Sequence, residues 1–214
     1  MIGGAAAGAA APAGRREATK AANRAAILRA AREIFGELGY GAAGIRDIVR
    51  RAGLASGTFY NYFADKEAVF RAIVDEIGAE AGSRVAAARA RAATPQAFVE
   101  DAYRAYFDYM VADRVRFAFM RRNVGEIRLM FDDVTVPAVT EALEADLAAA
   151  IARGDLPAAD VEYTARTMVA VGLELGSRLI ERDPPDVDGA TRFATDLFLG
   201  GLPRAAAQVR TSQR

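Results

Sequence analysis

The chain has 214 residues, enough for one or two domains with a substantial core. It contains no cysteine and no histidine, which excludes disulfides, thiolate metal sites and a thiol nucleophile, and removes the commonest metal ligand and general base. Its 28 Lys and Arg balance 28 Asp and Glu, for a formal net charge of zero.

Residues 1–14 are dominated by Ala and Gly, with no charge before Arg15. They lack the basic start and the Leu-rich apolar core of a secretory signal, so a disordered tail is expected over residues 1–17. Arg15, Arg16 and Lys20 flank the first helix, either as a solubilising segment or as a basic arm for the minor groove. No stretch approaches the roughly 20 apolar residues that span a bilayer, so neither membrane contact nor a membrane location is expected.

A helix-turn-helix domain is expected over residues 18–64. Ile45, Ile48, Val49 and Ala52 share one helical face, and Gly53 follows where a helix needs a residue of left-handed conformation. A second, very short helix begins near Ser56, so two helices meet at a tight Gly turn. In such a motif the second helix enters the major groove, and Ser56, Gly57 and Thr58 are small enough to let it approach closely. Phe59 and Phe63 lie a turn apart without polar atoms and read as core. Tyr60 and Tyr62 read as core or as DNA contacts, their hydroxyls favouring a site with one wet side. Arg46, Asn61 and Lys66 complete the candidate contact set with DNA.

At these residues the chain resembles a known family. Ile27-Leu28, Ala30-Ala31, Ile34-Phe35, Gly39-Tyr40, Ile45-Arg46-Asp47-Ile48, Ala52-Gly53, Gly57-Thr58-Phe59-Tyr60, Tyr62-Phe63 and Asp65-Lys66-Glu67 stand in the order and spacing of the N-terminal domain of tetracycline-repressor (TetR) regulators. The resemblance covers residues 24–77. It implies an all-α protein with a three-helix DNA-binding domain and a helical ligand-binding and dimerisation domain. It also implies a homodimer that grips a palindromic operator on double-stranded DNA and releases it when a small molecule binds, with no cofactor and no metal, in the cytoplasm at the nucleoid.

Two departures bear on affinity. Ala43 and Gly44 precede the second helix, and Ala55 opens the recognition helix, where relatives carry hydroxyl residues. Side-chain caps that also meet phosphate are therefore missing, and Ser56 is the residue left to cap. Charge follows the division of labour. Between Arg15 and Arg71 there are 11 basic and 6 acidic residues, a balance of +5, against 17 basic and 22 acidic from Ala72 onward, a balance of −5. A basic N-terminal region attracts phosphates, and an acidic remainder does not.

Beyond residue 65 the pattern stays helical, broken at Pro95, Pro137, Gly154, Pro157, Pro184-Pro185 and Gly200-Gly201. Residues 65–205 read as the effector-binding and dimerisation domain, and residues 206–214 as a flexible C-terminal tail. Asp65 is an N-cap for a connecting helix whose apolar stripe is Val69, Phe70, Ile73, Val74 and Ile77. Aromatic and Met residues then concentrate. Phe98, Tyr103, Tyr106, Phe107, Met110, Phe117, Met120, Arg121 and Phe131 are the expected lining of a pocket for a small hydrophobic effector, with Asn123, Glu126 and Arg128 as further polar candidates. Core packing is the competing account of the rings, and a solvated helix face that of Arg121. Residues 96–131, with Phe119-Met120-Arg121-Arg122-Asn123 and Gly125-Glu126-Ile127-Arg128, also resemble the ligand domains of TetR relatives that sense fatty acids or acyl-CoA.

Two last helices are expected over about 159–181 and from 188 to 200 or further. The resemblance makes them a four-helix dimer interface, with Met168, Val171, Gly172, Leu175 and Leu179 on one and Phe193 and Leu197 on the other. The reading that emerges is a ligand-relieved repressor. Two other classes stay open: a TetR-fold factor that uses DNA as a platform for contacting another protein, and an enzyme on a helical scaffold.

Overall fold

A computed structural model describes the backbone of residues 11–131 and 135–212, and the side chains of residues 14–129 and 139–201. The described residues form ten α-helices and no strand. They are α1 (Ala11–Leu38), α2 (Ile45–Ala52), α3 (Ser56–Tyr60), α4 (Lys66–Arg91), α5 (Pro95–Ala112), α6 (Arg114–Arg122), α7 (Val124–Phe131), α8 (Thr135–Arg153), α9 (Val161–Glu181) and α10 (Val187–Ser212). The first three make the N-terminal domain, and α4 leads from it into the rest.

Both ends are more helical than the composition suggests. α1 starts at Ala11, inside the stretch expected to be a disordered tail, and α10 continues to Ser212 through most of the expected C-terminal tail. Alanine has the highest helix propensity, and a proline in the first turn, as at Pro12, is tolerated there. Residues 1–10 and 213–214 of the expected tails lie outside the described residues.

The helices start where the side chains dictate. Asp65, Thr94, Asp113 and Asp160 accept from the backbone N–H groups of Ala68 (2.7 Å), Ala97 (3.1 Å), Arg116 (2.6 Å) and Tyr163 (2.9 Å), each cap contributing about 1 kcal/mol. The corner between α5 and α6 is held by a buried cation: the Arg116 Nε and Nη2 groups both donate to the Tyr109 carbonyl, and the guanidinium lies 3.8 Å from the Tyr109 ring centroid. The Tyr109 hydroxyl in turn donates to Glu80 on α4 at 3.1 Å.

Two apolar clusters form the core. In the first, Phe35 of α1, Phe70 of α4 and Phe119 of α6 are fully buried and meet with ring centroids 5.2 to 6.3 Å apart. Such pairs add to area burial. Gly36 lets α6 lie close against α1, since a Cβ there would come within 3.2 Å of the Phe119 nitrogen. The second cluster joins α5, α8, α9 and α10 through Phe98, Tyr103, Phe107, Leu143, Leu147, Met168 and Phe198. Gly172 and Gly176 of α9 admit the rings of Tyr103 and Tyr106, whose Cε1 atoms lie 3.4 and 2.8 Å from where a Cβ would stand.

Candidate nucleic-acid interface and effector cavity

The helix-turn-helix is built by local rules. Gly53 adopts φ 68°, ψ 27°. Its N–H bonds back to the Arg50 carbonyl (3.3 Å) while the Leu54 N–H reaches Val49 (3.1 Å), a Schellman ending that turns the chain into α3. Ile48, Val49 and Phe59 are buried beneath the motif and Phe63 is 6% exposed. Ser56, Gly57, Tyr60 and Asn61 are exposed and Thr58 and Tyr62 half-buried, so the short helix presents its small residues and its tyrosine hydroxyl side to solvent. Tyr60 is 58% exposed and edge-on to Phe59 at 5.5 Å, so it is no part of the core.

Neither helix carries a side-chain hydroxyl cap. Gly44 caps α2 through its own N–H, which the Asp47 carboxylate accepts at 3.2 Å, and Ala55 stands at the cap of α3 with Ser56 one residue inside. The expected capping role of Ser56 is therefore not filled. The α3 amides must find other acceptors.

Not every cation in the region is available to phosphate. Arg51 donates to Glu33 and Glu37 on α1 at 2.8 to 2.9 Å and clamps α2 onto α1. The charge-assisted bonds it donates to these carboxylates hold the Arg51 guanidinium protonated far above the physiological range. Arg46 is exposed, with no carboxylate partner among the described residues. Lys66 is turned partly inward: its Nζ donates to the Tyr40 carbonyl at 2.8 Å and sits 4.3 Å from the centre of the Tyr40 ring. It fastens the start of α4 to the turn that follows α1. Arg24 packs 5.5 Å over Phe63 and bonds Glu76. From Arg24 towards its N-terminus α1 extends for about 20 Å more, with Arg15, Arg16 and Lys20 exposed along it.

The second site lies between α4, α5, α6, α8 and α9. An apolar cavity of about 110 Å³ is lined by Ile77, Ala81, Val85 and Arg89 from α4, Tyr103, Tyr106 and Met110 from α5, Met120 from α6, Leu143 from α8, and Met168, Val169 and Gly172 from α9, among others. It adjoins a wider chamber of about 540 Å³ that shares Tyr106, Met110, Met120, Val169 and Leu173 and adds Arg128, Arg166, Glu174 and Ser177. A narrow apolar space thus adjoins a wider one that carries several charged groups, the arrangement that suits an amphiphile. Burial pushes the Tyr103 and Tyr106 hydroxyls far above the usual tyrosine range, so both stay neutral. The Tyr103 hydroxyl donates to the Met168 carbonyl at 3.0 Å, fixing α5 against α9.

Of the expected lining, Tyr103, Tyr106, Met110 and Met120 meet at this cavity. Phe107 is fully buried between Tyr103 and Tyr106, a core position. Phe98 belongs to the second cluster and faces a separate polar cleft, and Phe117 packs half-buried against the first. Arg121 is exposed, as a solvated helix face requires. The side chain of Phe131 lies outside the described residues. Asn123 is wholly buried and serves structure instead: its Nδ2 donates to the carbonyls of Phe35 (2.9 Å) and Phe119 (2.7 Å), and its Oδ1 accepts the Tyr40 N–H at 2.6 Å. Sequence reading overlooked the α4 wall. Its signal is the run of small residues Gly78, Ala81 and Gly82 on a helix otherwise rich in larger apolar side chains.

The dimer candidates divide. Met168 lines the cavity, Gly172 abuts Tyr103 and Leu179 is 2% exposed, so these three face the subunit's own interior. Val171 and Leu175 are half-buried against the second cluster. Phe193 (60% exposed) and Leu197 (50%) stand one turn apart on the outer face of α10, and Tyr163 (71%) is exposed on α9.

Among the described residues no helix is long and apolar enough to cross a membrane. Residues 27–73 match the model of the bacterial regulatory proteins, tetR family. Over 51 residues the chain is 49% identical to the uncharacterized HTH-type transcriptional regulator YvdT of Bacillus subtilis (strain 168), spanning 24% of this chain and about a quarter, 26%, of that protein. Over 188 residues it is 27% identical to the HTH-type transcriptional activator FasR of Mycolicibacterium smegmatis, covering 84% of this chain and 82% of FasR. The fold superposes on the transcriptional regulator FadR of Bacillus subtilis, solved in complex with stearoyl-CoA, with a TM-score of 0.71 at 20% identity over 82% of this chain and 97% of that one. Residues 27–73 thus form a DNA-binding domain of the tetR family of bacterial regulatory proteins, joined to a helical part whose fold is like that of FadR.

Proposed function

We propose that the protein is a homodimeric, DNA-binding transcriptional repressor that holds a palindromic operator through α3 and releases it when an elongated hydrophobic effector of the fatty acid or acyl-CoA class enters the cavity. The observation that carries this reading is the continuity between the two sites. Met120 of α6 lines the cavity, and Asn123, which ends α6, is bonded to the turn that follows α1. A ligand that shifts α6 therefore acts directly on the domain that holds the reading helix. Ligand and DNA then favour different arrangements, and each weakens the other's binding by the same factor.

Arg46, Ser56, Gly57, Thr58, Tyr60, Asn61 and Tyr62 are the proposed DNA contacts, and Lys66 positions α4 beneath them. A two-fold dimer formed through Phe193, Leu197 and Tyr163, with Val171 and Leu175 beside them, spaces two reading helices by about 34–36 Å or a multiple of it. Support for the effector class comes from the apolar cavity and the adjoining chamber that carries Arg128, Arg166 and Glu174, and from the stearoyl-CoA held by FadR. Catalysis forms no part of this reading.

Fluorescence anisotropy with DNA from the gene's own upstream region, against scrambled DNA and over a range of salt, tests it. Selective binding with a steep salt slope, lost on adding stearoyl-CoA or the free acid, is the expected result. The likeness to the activator FasR supports a second sign of regulation, in which the same ligand strengthens operator binding. The titration separates the two by the direction of the change.

A further inference from the structure

The far end of the apolar cavity carries a charge. Arg89, on the last turn of α4, lines both this cavity and the polar cleft behind it. Its side chain is only 4% exposed. Among the described residues its one carboxylate partner is Asp146 of α8, and the pairing is imperfect: Nε and Nη2 both reach the same oxygen, Oδ2, each at 2.8 Å. A guanidinium fork binds best when each of two parallel N–H groups has its own carboxylate oxygen. Asp146 itself is 43% exposed at the cleft, so it can turn to water without being stranded.

We propose that Arg89 seats a carboxylate of the effector at the far end of the cavity, the incoming acid taking the place of Asp146. This rests on the reading that the cavity holds an elongated apolar ligand. The exchange keeps the buried cation paired throughout, whereas loss of Asp146 without replacement leaves an uncompensated buried charge. From Ile77 to Arg89 the α4 wall is about 18 Å long, so an alkyl chain lies along Ile77, Ala81 and Val85 with its acid group at Arg89. Arg128 and Arg166 at the opposite mouth are exposed and already paired with Glu174 and Glu162, so a carboxylate gains little there. The selected class is a free fatty acid lying carboxylate-inward, or a dicarboxylic chain whose second carboxylate reaches Arg89. A thioester presents only a methyl end to Arg89 and leaves the Arg89 and Asp146 pair intact. Exchange also unlatches α8 from α4.

Calorimetric titration of the full chain with laurate, dodecanol and dodecanedioate tests this. Laurate or dodecanedioate is expected to bind at least about tenfold more tightly than dodecanol, the size of one charge-assisted hydrogen bond. Arg89→Met abolishes that difference while dodecanol binding persists, which also shows that the variant is folded. Asp146→Asn, by weakening the competitor, tightens acid binding severalfold and leaves dodecanol unchanged. A preference shown by laurate identifies the monoacid. A preference confined to dodecanedioate identifies the second carboxylate of a diacid. Equal binding of acids and alcohol, or acid binding untouched by Arg89→Met, overturns the proposal while the hydrophobic-effector reading stands. Binding of none of the three overturns both.

Discussion

The Oδ1 atom of Asn123 accepts the backbone N–H of Tyr40 at 2.6 Å, joining two residues 83 positions apart. One partner ends α6, beside the apolar cavity that Met120 lines, and the other lies in the turn leading from α1 into the helix-turn-helix. Of the groups that Asn123 bonds, the Phe35 carbonyl also accepts the Gly39 N–H, and the Phe119 carbonyl also accepts the Asn123 N–H. Only the Tyr40 N–H depends on the side chain.

Asn123→Ala is therefore expected to orphan one partly buried donor and cost about 1–3 kcal/mol. The fold should survive that loss. Thermal unfolding measures the cost, and effector titration of the operator complex measures the coupling, which is expected to weaken with α6 unlinked from the turn. Full effector response in the alanine variant would place the coupling elsewhere.

The two adjacent aromatics of α3 should separate cleanly. Phe59 is fully buried and Tyr60 is 58% exposed. Phe59→Ala is expected to cost about 3–5 kcal/mol, whereas Tyr60→Ala should change stability by under about 0.5 kcal/mol and weaken operator binding. Denaturant unfolding and anisotropy on the two variants check the contrast.

Gly53 holds φ 68° with nothing within 4 Å of where a Cβ would stand. Gly53→Ala has room for its methyl but not the backbone freedom, so a cost of about 1 kcal/mol is expected from conformation alone. Gly53→Asn should cost less, since Asn tolerates this region better. A shift in denaturant midpoint at constant slope is the readout.

Leu197 is half-exposed on the same face of α10 as Phe193. Leu197→Arg is expected to leave the fold intact and yield monomers in sedimentation velocity, with operator binding weakened because half-sites are then held singly. A dimer that persists would show that the interface lies on another face. Leu179→Arg, at a position 2% exposed within the subunit, should instead unfold the protein.

By itself the sequence determined the all-α class, the helix-turn-helix and its hinge at Gly53, the N-caps at Asp65 and the inward placement of Phe59 and Phe63. Each of these is set by local physics: helical periodicity, a backbone angle only glycine takes easily, or a side chain reaching an amide three residues on. Arrangements between distant helices were decided only by the tertiary structure. An apolar stripe states that a face is buried, not against what, so Met168, Gly172 and Leu179 read equally well as interface or interior until α5 packed against α9. The same limit hid the α4 wall of the cavity, the inward turn of Lys66 onto Tyr40, and Asn123, whose bonds to Phe35 and Tyr40 go to groups brought within reach only when α6 lies along α1. Arg89 is the extreme case. An arginine in the Ala-rich end of a helix that also carries Arg84 and Arg91 reads as solvated, and only the packing of α8 across it makes it a buried charge at the end of an apolar cavity.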